Sequence, residues 1–234
     1  MFAAARALLV VALVVGLAAC GGEDEGSTTV ETAATTEAAA TTEVETETGA
    51  AGECEEVEAP PPKADGGQTA PEEELDADTT YVLEFETNCG SFTITLDQGQ
   101  APKTAASLVS LAEAGFYDKT SFHRVVPGFV IQGGDPTGTG SGGPGYQTVD
   151  PPPASATYTK GVVAMAKAEF EAPGTSGSQF FVVTGEDIGL PADYAIVGEV
   201  TEGLETVLAI DRLGVSDSPP SMPVVIERVS VEES

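Results

Sequence analysis

The sequence predicts a mainly β domain, a barrel of short strands with helical caps, behind a leader and a long acidic spacer. Three observations carry that expectation. From Tyr81 onward, apolar residues alternate in short runs, the period of two of a half-buried strand. Only two stretches show helical spacing, and they are isolated rather than interleaved with strands, which argues against a βαβ fold. Residues 21–80 show neither period, so the folded part is expected to be residues 81–234, a common size for one core.

The elements follow in order. Tyr81–Thr87 places Tyr81, Leu83 and Phe85 on one face, and Ser91–Asp97 does the same with Phe92, Ile94 and Leu96. Between them Asn88-Cys89-Gly90 has the composition of a tight hairpin turn. Pro102 suits the first turn of a helix in which Ala105, Leu108, Val109 and Ala112 share a face, and Gly115 closes it. Short strands are expected around Phe129–Gln132, Gly161–Ala166, Gln179–Val183 and Ala195–Val200. A second helix over about Leu204–Leu213 and a last strand near Val224–Val231 complete the set.

The first 20 residues read as an address. Ala7–Ala19 is an apolar run too short to span a bilayer comfortably, and it ends in small residues, as a signal peptide does. Leu17-Ala18-Ala19-Cys20 resembles a bacterial lipobox, which implies cleavage after residue 19 and lipidation of Cys20. The expected location is the outer face of the bacterial cytoplasmic membrane, with the bilayer as a partner through the acylated Cys20. The other readings of this stretch are a transmembrane anchor or an ordinary secreted signal.

Residues 20–80 read as a disordered tether rich in Thr, Ala, Glu and Pro, with too few apolar side chains to offset chain entropy. The chain carries a net charge of −29, and the tether holds 18 acidic residues against one basic, Lys63. So acidic a surface repels phosphate backbones, which excludes nucleic acid as a partner. Once Cys20 is lipidated, Cys54 and Cys89 remain, and in an exported protein they are candidates for a disulfide, two free thiols being the alternative. No Cys/His spacing suggests a metal site. Gly138–Gly143 matches G-x-G-x-x-G, but Pro144 and Gly145 follow instead of a helix, so it reads as a surface loop and not a dinucleotide site.

The chemistry concentrates in Phe122-His123-Arg124-Val125-Val126-Pro127-Gly128-Phe129-Val130-Ile131-Gln132-Gly133-Gly134-Asp135. This block resembles the signature of the cyclophilin family. Gly161–Ala166, the run Ser178-Gln179-Phe180-Phe181, and Leu190–Gly198 fit the family in the same order. The resemblance spans about Tyr81 to Val231 and implies a closed eight-stranded antiparallel β-barrel capped by two α-helices. It also implies peptidyl-prolyl cis-trans isomerase activity on X-Pro segments of exported polypeptides, with no cofactor. Arg124 would be catalytic. Phe129, Val130, Phe181, Leu190 and Tyr194 would line the proline pocket, Gln132 and Gln179 would bond substrate backbone, and Ala166 and Lys167 would line the neighbouring groove. On strand alternation alone, Phe129 and Phe181 could equally be core residues.

The chain departs from the family at three places. Lys167 stands where cyclophilins usually carry Asn, the loop Ala168–Gly177 is longer, and Gly189 or Ile188 replaces a common pocket Trp while Tyr194 replaces a common His. The thinner aromatic wall predicts poor binding of cyclosporin-type inhibitors. His123, the single histidine, has no Ser or Cys partner and reads as structural. Two other function classes fit less well: a non-catalytic proline-peptide-binding module or chaperone at the cell surface, and a lipid-anchored solute receptor. A monomer is the simplest assembly.

Overall fold

The computed structural model describes residues 53–216 and 219–234. The leader, Cys20 and the spacer up to residue 52 lie outside them. The described residues form eleven strands and two helices: β1 Tyr81–Thr87, β2 Gly90–Leu96, α1 Pro102–Glu113, β3 Thr120–Ser121, β4 Arg124–Val126, β5 Val130–Gly133, β6 Thr148–Val149, β7 Val162–Met165, β8 Thr175–Ser176, β9 Phe180–Val183, β10 Ile196–Glu202, α2 Leu204–Asp211 and β11 Val225–Glu233.

Alternation does what it promised in the first hairpin. Tyr81, Leu83 and Phe85 of β1 and Phe92, Ile94 and Leu96 of β2 are buried. Their register sets Leu83 against Ile94 and Phe85 against Phe92, whose rings stack at 4.9 Å. Around that pair gather Tyr117, Phe122 and Phe180, an aromatic centre for the main core. Helix α1 lays Ala105, Leu108, Val109 and Ala112 onto it. Its C-terminus is closed by Gly115 at φ +64°, with Gly115 N–H donating to Ala112 O and Phe116 N–H to Leu111 O. Paired bonds of this kind satisfy the last carbonyls, and only glycine enters that backbone region without strain.

Nine strands form one antiparallel sheet in the order β3-β11-β1-β2-β10-β7-β9-β5-β4, and β6 pairs with β8 separately. The fold is therefore mainly β with two helices, but the strand inventory differs from a closed eight-stranded barrel. The ladder has nine strands, and its end strands β3 and β4 do not pair with each other. These two are consecutive in the chain, separated only by Phe122 and His123. At two and three residues they are too short to show a period, and each is held by its longer neighbour, β11 or β5.

Residues 53–80 differ most from expectation. They contain no helix or strand, yet they run along the domain as a strap instead of standing off it. Cys54 and Cys89 form a disulfide, and the Glu55 backbone exchanges bonds with the Asn88 carbonyl and side-chain amide. Lys63 Nζ donates to the carbonyls of Gly115, Phe116 and Asp118 at 3.0, 2.7 and 3.0 Å, just past the end of α1. Farther along, Gly66 N–H donates to Gly143 O and Gln68 N–H to Pro144 O, and Leu75 packs on the core. Composition misled because the docking uses backbone groups, which every residue type carries, rather than apolar side chains. Pro60-Pro61-Pro62 also lowers the entropy lost when the strap is laid down. No helix among the described residues is long and apolar enough to cross a membrane.

Candidate active site

Antiparallel pairing assembles the site from three strands. Arg124 on β4 stands opposite Gln132 on β5, and Gln132 stands opposite Phe181 on β9. Pairing across strands brings side chains of facing positions to one surface of the sheet. A polar relay results: Arg124 Nη1 donates to Gln132 Oε1 at 3.3 Å, Gln132 Nε2 to Gln179 Oε1 at 3.1 Å, and Gln179 Nε2 to Gly142 O at 2.9 Å. The guanidinium lies 6.0 Å from the centre of the Phe129 ring, within cation–π range. The guanidinium thus sits between an aromatic face and a neutral amide, at the edge of the polar relay.

Beside this relay is a second apolar cluster, separate from the main core. Val130, Tyr158, Ala164, Phe181 and Val183 form its buried base, and Phe129, Ala166, Leu190 and Tyr194 pack half-exposed on top. Phe181 and Tyr194 meet edge to face at 5.6 Å. The residues expected to line a proline pocket are thus brought together, Val130 and Phe181 as its floor and Phe129, Leu190 and Tyr194 at its rim. Ile188 joins the same cluster, whereas Gly189 faces open space.

Tyr158 was invisible to sequence reasoning. Its hydroxyl donates to Tyr194 O at 2.8 Å and accepts from Tyr194 N–H at 3.0 Å, so it fixes the backbone that presents the Tyr194 ring. It sits in an irregular Pro-rich stretch, 36 residues from its partner, where no period could flag it.

Lys167 lines the adjoining cleft but does not aim a free charge into it. Its side chain is 2% exposed, its ammonium lies 2.6 Å from Asp193 Oδ2, and it also donates to the carbonyls of Ala168 and Glu171. The lysine at the usual Asn position therefore braces the longer loop against Tyr194, whose ring it faces at 5.4 Å.

The glycine-rich loop encloses an anion of its own. The Asp135 carboxylate, fully buried, accepts backbone N–H bonds from Thr137, Thr139, Gly140 and Ser141 and a hydroxyl bond from Thr137. Burial pushes its pKa up, but these bonds outweigh burial and hold it below the ordinary value. A Cβ on Gly142 would come within 2.3 Å of Asp135 Oδ1, so the loop's shape is specific to glycine there. His123 lies beneath the same loop. Burial lowers its pKa, the nearby Asp135 raises it, Arg124 lowers it further, and the net shift is downward. Neither ring nitrogen has a hydrogen-bond partner among the described residues. A neutral imidazole with nothing to exchange protons with has a packing role.

Comparison with known proteins points the same way as the geometry. Residues 82–231 match the family model described as "Cyclophilin type peptidyl-prolyl cis-trans isomerase/CLD". The chain is 40% identical to peptidyl-prolyl cis-trans isomerase A of Mycobacterium tuberculosis, over 65% of this chain and 92% of that protein. It is 37% identical to the peptidyl-prolyl cis-trans isomerase-like 1 of Gibberella zeae, over 66% of this chain and 97% of that protein. Among solved structures it is similar to a cyclophilin type peptidyl-prolyl cis-trans isomerase of Cryptosporidium parvum, with TM-score 0.60 and 31% identity over 65% of this chain and 98% of that one. A second structure of that protein, determined in the presence of the dipeptide Ala-Pro, matches with TM-score 0.59 and 32% identity over 64% of this chain and 98% of that one.

Proposed function

Since the chain belongs to the cyclophilin-type peptidyl-prolyl cis-trans isomerase family and is an enzyme of that type, we propose that it isomerises X-Pro bonds through Arg124 and the apolar pocket floored by Val130 and Phe181. The barrier arises from amide resonance and amounts to about 18–20 kcal/mol. As the bond twists, the proline nitrogen loses conjugation and becomes a hydrogen-bond acceptor. Arg124, permanently charged, donates to it in the twisted state more strongly than in either planar one. One charge-assisted bond is worth about 1.5–3 kcal/mol, a factor of roughly 10 to 150 in rate. The apolar cluster supplies the rest by stripping water from the amide and holding the ring while the preceding carbonyl turns. Gln132 and Gln179 hold the substrate backbone in register.

The observation that carries this reading is the placement of the guanidinium: over Phe129, hydrogen-bonded to Gln132 at 3.3 Å, and at the edge of an apolar basin. The test is cis/trans exchange in a short X-Pro peptide with the full chain in detergent. Arg124→Ala should slow exchange at least tenfold, and wild-type activity should be flat from about pH 6 to 9 because Arg stays charged. A wild-type chain that binds the peptide without accelerating exchange would refute catalysis and leave a binding module.

We also propose that the clients are exported polypeptides and that the enzyme is held at the outer face of the cytoplasmic membrane by lipidated Cys20. The apolar run ending at Leu17-Ala18-Ala19-Cys20 supports this, and a disulfide suits an oxidising compartment. Mass spectrometry of the N-terminal peptide tests it, an unmodified Cys20 thiol counting against the anchor.

A further inference from the structure

We infer that Asp65, contributed by the strap and lying outside the family-matching residues 82–231, is a specificity-determining residue: its carboxylate biases the enzyme toward peptides carrying a basic residue near the proline. This rests on the isomerase reading above and deepens it.

The cleft next to the proline pocket has a volume of about 720 Å³, within the range of peptide-sized and drug-sized sites. Gln132, Gln179, Ala166 and Lys167 line one part of it, so it is continuous with the polar relay. Asp65 lines it too, although it is 67 positions before Gln132 in the chain. Three bonds hold the strap there. Gly143 N–H donates to Asp65 Oδ1 at 2.9 Å, Gly66 N–H to Gly143 O at 2.9 Å, and Gln68 N–H to Pro144 O at 2.9 Å. The carboxylate is thus fixed on the rim by its own backbone neighbours.

The charges settle which substrate it favours. Besides Asp65, the ionised groups lining the cleft are Glu171 and Lys167. Lys167 is buried and compensated by Asp193 at 2.6 Å, so its charge is spent inside the protein. The Glu171 carboxylate accepts from Ala168 N–H and from the Gln147 side chain, with no cation paired to it among the described residues. The cleft is therefore net negative. Asp65 Oδ2 takes no hydrogen bond among the described residues, and the side chain is exposed. A lysine or arginine of a bound peptide complements such a rim, and a glutamate is repelled.

The experiment uses the full chain in detergent with X-Pro peptides bearing Lys, Ala or Glu one, two or three residues before the proline. The readout is the Lys-to-Glu ratio of kcat/KM at the most sensitive position. A solvent-exposed charge pair gives about a two- to fivefold preference, which should fall toward one as salt rises to 0.5 M. Asp65→Asn keeps an acceptor for Gly143 N–H but removes the charge, and should bring the ratio close to one. Asp65→Glu should retain it. A ratio of one in the wild type, or one unchanged by Asp65→Asn, overturns the inference while leaving the isomerase reading intact. Failure to turn over any of the peptides overturns the isomerase reading itself, and this inference with it.

Discussion

Breaking the Cys54–Cys89 bridge should loosen the whole strap, and its cost can be worked from the chain. The bridge joins positions 35 apart. In the loop-entropy description, closing a loop of that length removes about 12–13 cal/mol/K from the unfolded ensemble, or about 4 kcal/mol at 25 °C. For a domain of this size, each kcal/mol moves Tm by roughly 2–4 °C, so the double variant Cys54→Ala/Cys89→Ala should melt about 8–16 °C below the wild type. Cys89 is 1% exposed and Cys54 packs against the core, so alanine is the gentlest replacement. Calorimetry of both proteins, with and without reductant, measures the difference. Hydrogen exchange adds a local readout: the amides of Glu55, Gly66 and Gln68, bonded to Asn88, Gly143 and Pro144, should lose protection before those of β1 and β2. If the variant melts within 2 °C of the wild type, or those three amides stay as protected as before, then the strap is held by its hydrogen bonds alone and the reasoning fails.

Three further outcomes are expected. The pKa of His123 is lowered in the fold, so the unfolded chain binds the extra proton first. Stability from this group is present above about pH 6.5 and is lost as pH falls toward the folded value. His123→Phe should therefore flatten the change in urea midpoint between pH 7 and 5, and an unaltered slope would count against a neutral buried imidazole. Asp135→Asn leaves one acceptor oxygen for a nest of N–H donors and should cost about 3 kcal/mol, with weaker peptide binding because Gly142, which holds Gln179, loses its support; urea denaturation and KM report the two effects. Tyr158→Phe removes the hydroxyl that pairs with both Tyr194 backbone groups. It should cost about 1–3 kcal/mol and raise KM more than it lowers kcat, whereas a fall in kcat with KM unchanged would mean Tyr194 acts only in the transition state.

What the sequence revealed depended on the range of the interaction. The β1–β2 hairpin and α1 were legible because a period of two or of 3.6 needs only neighbours, and their buried faces fall where alternation put them. Strands β3 and β4 were not, because two or three residues hold no period and partners distant in sequence define them. Arg124, Phe129 and Gln132 came from a motif whose residues lie close in the chain. Tyr158, Asp193 and Lys63 act across 26 to 55 positions through a hydroxyl, a carboxylate and an ammonium, whose distant partners composition cannot name. The G-x-G-x-x-G match is instructive in another way. It does mark backbone N–H groups turned toward an anion, but that anion is Asp135, so no room is left for a phosphate.

The bridge also changes what proteolysis can accomplish. An acidic stretch with neither helix nor strand is an obvious target for cleavage, and a single cut in an ordinary linker frees the domain that follows it. Here a cut anywhere from residue 55 to 88 opens a ring without separating its ends, because residues up to Cys54 remain covalently joined to Cys89. Release would need either a cut before Cys54 or a cut plus a reductant. Along that stretch, separating the domain from the residues before Cys54 thus requires two different chemical events.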